Sequence, residues 1–174
     1  MSILSRLFPD RDQRAPYRPL YDAVVAEART PIWYLDGGVP DTVDGRFDMV
    51  ALVLALVLIR LEGEDEAGRL PSTLLTELFV DDMDGQLRQI GVGDVVVGKH
   101  VGRMMSALGG RITAYRAALA GDAPLADALG RNLWRGEAPA GAAITFVENR
   151  VRALHAALAA TPAAALYAGK LPTP

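Results

Sequence analysis

The stretch Phe79-Val80-Asp81-Asp82-Met83-Asp84-Gly85-Gln86-Leu87-Arg88-Gln89-Ile90-Gly91-Val92-Gly93-Asp94-Val95-Val96-Val97-Gly98-Lys99-His100-Val101 decides the fold. It reads in three ways, and each belongs to a different architecture. The acidic cluster invites a calcium loop, and Gly93 to Lys99 invites a phosphate loop that would follow a buried strand. The apolar spacing invites one helix turning into the next.

Counting positions separates these readings. With Gly85 at the sixth place of a calcium loop, Val80 and Gly91 fall at the first and twelfth, where carboxylates are required. The phosphate-loop spacing G-x-x-x-x-G-K is met, but His100 stands where a hydroxyl should hold magnesium. The residues before it repeat with a helical period, not a strand period. What remains is a helix with Leu75, Phe79, Met83, Leu87 and Ile90 on one stripe and Glu77, Asp81, Asp84 and Arg88 opposite. Gly91, Gly93 and Gly98 then read as a hinge, and Asp94 as the cap of the next helix. Asp84 and Arg88 are spaced for an i,i+4 pair.

Beyond the hinge, Val97, Val101, Met104, Met105, Leu108, Ile112, Tyr115 and Leu119 keep the helical period to about Ala120. Gly98, Gly102, Ser106, Gly110, Ala114 and Ala118 form a ridge of small residues on the same helix. A helical Gly costs about 1 kcal/mol relative to Ala, so the ridge predicts a close helix contact or a break at Gly109-Gly110. Farther on, Asp122 is expected to cap a short helix that Trp134 closes after Leu133. A connector over 136–141 leads to a long helix carrying Ile144, Val147, Val151, Leu154 and Leu158.

Working toward the N-terminus, 62–68 reads as a charged loop, and Pro71 as the opening of a helix near Ser72. Met49 to Ile59 is an uninterrupted apolar run inside a helix that Asp41 or Thr42 caps and that reaches about Leu61. A helix apolar on all sides belongs at the centre. Trp33-Tyr34-Leu35 reads as an anchor before a turn, and Leu20 to Ala28 as a short first helix. Residues 1–16 read as an extended arm with one amphipathic turn, Ile3, Leu4, Leu7 and Phe8. No segment alternates like a strand. The expectation is all-α: an arm, then a single-domain irregular helical bundle over 17–174 of about six to seven helices.

Composition narrows function. The chain has no cysteine, which removes thiol nucleophiles, thiolate metal ligands and disulfides together. A net charge of −3 gives no footprint for a nucleic-acid partner. Pro9 and Arg11 interrupt the N-terminus before a signal peptide could form, and the longest apolar run falls short of the roughly 20 residues a membrane span needs. His100 and His155 are the only histidines, on different expected helices, and Ser2, Ser5, Ser72 and Ser106 are the only serines. None sits in a nucleophile context, so no catalytic residue, metal or cofactor is expected. Trp33, Tyr34 and Trp134 read as packing anchors.

The order of motifs is informative: Asp41-Thr42-Val43-Asp44-Gly45-Arg46-Phe47-Asp48-Met49, then Phe79 with Asp82-Met83-Asp84, Leu87-Arg88, Gly91-Val92-Gly93-Asp94 and Gly98-Lys99. It resembles the ubiquinol-cytochrome c reductase chaperone family over about 20–120. The resemblance implies an all-helical, non-enzymatic assembly factor of respiratory complex III, here a bacterial member working in the cytoplasm or at the cytoplasmic face of the inner membrane. Mitochondrial members bind newly made cytochrome b and act with a small partner protein at the ribosome. The chain departs from the pattern at Val53, Gln89 and Gly102, and the missing basic residue at Gly102 bears on ribosome contact. Asp44, Arg46, Phe47, Asp82, Met83, Asp84, Arg88, Asp94 and Lys99 are the expected partner-binding residues, with Met83, Met104 and Met105 as candidates for a client groove. The other readings are a generic helical interaction module and a nucleotide-binding protein using Gly93 to Lys99.

Overall fold

The computed structural model describes residues 12–89, 94–137, 139 and 141–174, and leaves aside the side chains of 87–89 and 94–101. The described residues contain helices and no strand. A 3-10 turn, Ala15–Tyr17, runs into α1, Arg18–Ala28. The single turn α2, Ile32–Leu35, buries Trp33. Then follow α3, Val43–Glu62; α4, Glu66–Gln89; α5, Asp94–Ala120; α6, Leu125–Leu133; α7, Ala142–Ala160; and the short α8, Ala163–Tyr167.

The apolar run places α3 at the centre. Its residues from Asp48 to Leu58 are all buried, and it packs against α1, α4, α5, α6 and α7. Thr42 caps it, its Oγ1 accepting from the Gly45 N–H at 3.1 Å. Thr42→Ala should therefore cost about 1 kcal/mol, read as a lower urea midpoint at unchanged slope. At the other end Arg60 reaches across to α7, donating from Nε to the Leu158 carbonyl at 3.0 Å and from Nη2 to that of Thr161 at 3.1 Å. A cation thus meets carbonyls at the C-terminal end of α7, where the helix dipole favours positive charge. Despite its apolarity α3 also carries Asp44, Arg46, Asp48, Arg60 and Glu62, and no helix among the described residues is long and apolar enough to cross a membrane.

Several boundaries differ from expectation. α4 begins at Glu66 and not near Ser72, so Pro71 lies inside the helix. The turn between α3 and α4 is short because Gly68 lies against the end of α3, where a Cβ would overlap the Leu61 carbonyl. A glycine that reads as a loop signal is a close-packing site. Asp122 does not cap α6, whose N-cap is Pro124 without a side-chain bond. It completes α5 instead: Gly121, at φ 92°, and Asp122 donate their N–H groups to Ala118 and Ala117 at 3.3 and 2.9 Å. That is the Schellman arrangement, which favours glycine at the left-handed position.

From Gly102 to Gly110 the small-residue ridge of α5 is neither a close contact nor a break, and only its end, at Ala114 and Ala118, packs on the core. The helix is continuous through Gly109 and Gly110, and a Cβ at Gly102, Gly109 or Gly110 would meet nothing within 4 Å. The buried side of α5 is carried by Leu108, Arg111, Tyr115 and Ala118. Because these glycines sit in open helical backbone, Gly109→Ala and Gly110→Ala should each stabilise the fold by up to about 1 kcal/mol, measured by chemical denaturation. A loss of stability in either would show that something packs on that face.

Candidate functional site

The Asp44-Gly45-Arg46-Phe47-Asp48 block forms the first turns of α3, and its side chains divide between surface and core. Asp48 is fully buried on a helix that is otherwise apolar there, so its carboxylate requires internal partners. Arg111 of α5 donates to Oδ1, and Arg135, just past α6, donates from Nε to Oδ2 at 3.1 Å. Burial raises the Asp48 pKa from its ordinary value, and the two guanidiniums pull the other way. Arg135 also donates from Nη1 to Asp44 at 2.8 Å, with a positive φ of 52° that sets its side chain across both carboxylates. Arg111 stacks over Phe47, 5.5 Å from the ring centroid. Arg46 pairs with Asp41 at 2.6 Å.

The second block meets the first where Phe47 packs against Phe79, 5.7 Å between ring centroids. Asp82 accepts from the Tyr21 hydroxyl at 2.8 Å and from Gln86 Nε2 at 3.1 Å, tying α4 to α1. Burial, and next Asp82, push the Tyr21 pKa upward. Met83 is a core residue at 3% exposure, and Asp84 is half-buried. Gly91 and Gly93 lie outside the described residues, as do the side chains of Arg88, Asp94, Gly98 and Lys99. Asp94 to Lys99 is helical backbone, where a phosphate loop would have to be irregular.

Another buried polar group joins α1, α2 and α7. The Trp33 indole donates to the Glu27 carbonyl and to its carboxylate, both at 3.1 Å. Arg150 of α7 stacks over Trp33 at 4.9 Å from its centroid and reaches Glu27 Oε1 at 3.3 Å.

Between α3, α4 and α5 lies an open groove of about 700 Å³. Leu58, Val80, Met105 and Ile112 supply its apolar surface. Thr73 and Thr76 also line it, their hydroxyls donating to their own helix at the carbonyls of Arg69 and Ser72. Ion pairs stand on the rim: Arg14 with Asp81, and Arg116 with Glu62 through two bonds of 2.5 and 2.9 Å. Of the three methionines expected at a groove, Met105 lines this one at 36% exposure, Met104 is partly buried against the core, and Met83 lies within it. The arrangement offers an apolar slot with a charged border, suited to binding rather than bond-making. Among the described residues no group of three His, Cys, Asp or Glu side chains could hold a metal.

Sequence reasoning missed the Asp48 cluster, and of the groove's lining it named only Met105 as a groove residue. Asp48 did leave a signal, a carboxylate directly before an eleven-residue apolar run, though its partners lie far along the chain.

Comparison with known proteins follows the same direction as the motif order. The family model described as Ubiquinol-cytochrome C chaperone matches residues 35–173. Among solved structures, the crystal structure of the Cbp3 homolog from Brucella abortus aligns with a TM-score of 0.81 at 30% sequence identity. The alignment covers 98% of this chain and 96% of that one. No curated protein matches the chain.

Proposed function

The chain belongs to the ubiquinol-cytochrome c chaperone family, and on that premise we propose that it is a non-enzymatic factor that assists assembly of respiratory complex III. Its client in this reading is newly made cytochrome b, held while other subunits are added. The observation that carries the reading is the open groove lined by Leu58, Val80, Met105 and Ile112. An apolar helix face laid in such a groove hides from water what a membrane helix exposes before insertion. The work fits the cytoplasmic side of a bacterial inner membrane, with the protein associated peripherally.

Asp44, Arg46 and Phe47 are held in internal pairs or stacking, and Asp82 is bonded to α1. On the order of motifs alone, Asp84, Arg88, Asp94 and Lys99 are proposed to face an incoming partner, such as a small partner protein. Gly102 itself offers no basic side chain, so ribosome contact has no cationic support from that position. No nucleic acid enters this reading.

Deleting the gene is expected to reduce assembled complex III on native gels while other respiratory complexes keep their levels. Undiminished complex III in the deletion strain would sink the reading.

A further inference from the structure

The groove between α3, α4 and α5 is uneven in charge, and one of its carboxylates is left for a partner to neutralise. On α4, Thr73, Glu77 and Asp81 stand four residues apart and exposed, an outer row about 6 Å from one member to the next. Thr76 and Val80, half-buried, form an inner row beside it. Two members of the outer row are taken up within the chain: the Thr73 hydroxyl donates to the Arg69 carbonyl, and Asp81 is held by Arg14. On α3, Glu62 is taken by Arg116 of α5. Glu77 has no ion-pair partner among the described residues.

We propose that Glu77 is the counter-ion for a Lys or Arg of the client, so that the groove takes an apolar helix with a cation at the border of its apolar face. The proposal rests on reading the groove as the client site. From Ser72 to Asp81 the α4 wall is about 14 Å long, which seats about two to three turns of a helix. A Lys or Arg lays its stem along apolar surface and keeps its charged head toward water. Set at the border of a helix whose apolar face meets Leu58, Val80, Met105 and Ile112, that head comes to the outer row, where Glu77 stands. An acidic side chain in the same place would meet Glu77 as a like charge, which discriminates against it. Lys and Arg concentrate at the cytoplasmic ends of membrane helices. The groove would then hold its client by that end and leave the opposite end free to enter the bilayer. A half-exposed ion pair changes affinity only a few-fold, so apolar contact holds the helix and Glu77 selects which helix is held.

Water-soluble helical peptides test this, each with a Leu and Ile face, a Ser and Gln back, and one border position set to Lys, Gln or Glu. Anisotropy at low salt measures their affinities for the wild type and for Glu77→Gln, Glu77→Lys, Met105→Glu and Asp127→Lys. Asp127 is exposed on α6 and lies outside the groove, so its reversal repeats the charge change elsewhere. The wild type is expected to bind the Lys peptide about threefold tighter than the Gln peptide and the Glu peptide weakest, a preference that shrinks as salt screens it. Glu77→Gln should flatten the difference between Lys and Gln, and Glu77→Lys should reverse the order while Asp127→Lys keeps it. A wild-type order that survives Glu77→Lys, or an equal reversal in Asp127→Lys, would overturn Glu77 as the counter-ion. The client reading would stand in that event if Met105→Glu still weakened all three peptides. Peptides that bind Met105→Glu as tightly as the wild type, or that do not bind the wild type, would overturn both.

Discussion

Asp48→Ala is expected to destabilise the protein by about 3–5 kcal/mol, the range for removing one partner of a buried ion pair. The loss comes less from the vanished bonds than from what stays behind. Arg111 is only 9% exposed, and its Nε has no hydrogen-bond partner, so without Asp48 its charge is buried and uncompensated. For a domain of this length such a loss lowers Tm by on the order of 10 °C. Asp48→Asn keeps the shape and an acceptor and should fall between wild type and Asp48→Ala. Arg135→Ala should cost far less, at most about 1 kcal/mol, because Arg135 is more than half exposed and water replaces its part. The decisive variant is Asp48→Leu with Arg111→Met, which removes both buried charges and should recover most of the stability. Additive losses in that double variant would show that packing rather than charge holds the cluster together. Calorimetry and urea unfolding give all of these values.

The cluster also marks the limit of what the sequence made legible. The central helix was plain because eleven consecutive apolar residues leave it no solvent-facing side, and residue type narrowed its cap to Asp41 or Thr42, of which Thr42 makes the bond. The stripes of α4 and α7 were legible for the same local reason: Leu75, Phe79, Val147, Val151, Leu154 and Leu158 are all buried. Features that depend on distant approach were not. Gly68 reads as a loop until Leu61 is seen against it, and Pro71 reads as a helix start because proline favours the first turn, whereas α4 runs through it from Glu66. The α5 ridge looked like a contact face because small residues every four positions have two uses, close packing or plain exposure, and spacing does not choose between them. Asp48 and Arg111 are 63 residues apart, so no periodicity joins them. The groove is harder still, being a gap shared by three helices whose walls each look like an ordinary amphipathic surface.

Met105→Glu should weaken client binding by at least 2 kcal/mol, about thirtyfold or more, with little change in folding stability. The two effects separate because of where Met105 sits. In the free protein it is partly in water at 36% exposure, so a carboxylate there stays solvated, and a surface substitution of this kind usually moves stability by no more than about 0.5 kcal/mol. With an apolar helix seated in the groove, the same carboxylate would face Leu58, Val80 and Ile112 and the client's own apolar face. Burying it unpaired would cost several kcal/mol. Met105→Leu keeps volume and apolarity and should leave affinity within a factor of a few, since a flexible thioether and a leucine fill such space comparably. Arg103→Glu, also exposed on α5 but not lining the groove, makes a charge change of the same sign and should have little effect. Anisotropy of a labelled cytochrome b helix peptide in mild detergent measures the affinities, and complex III levels in a deletion strain carrying each variant measure the consequence. If Met105→Glu bound like Met105→Leu and restored complex III fully, the groove would not be the client site. If Arg103→Glu proved equally damaging, the client would be reading the charge of α5 rather than the apolar slot beside it.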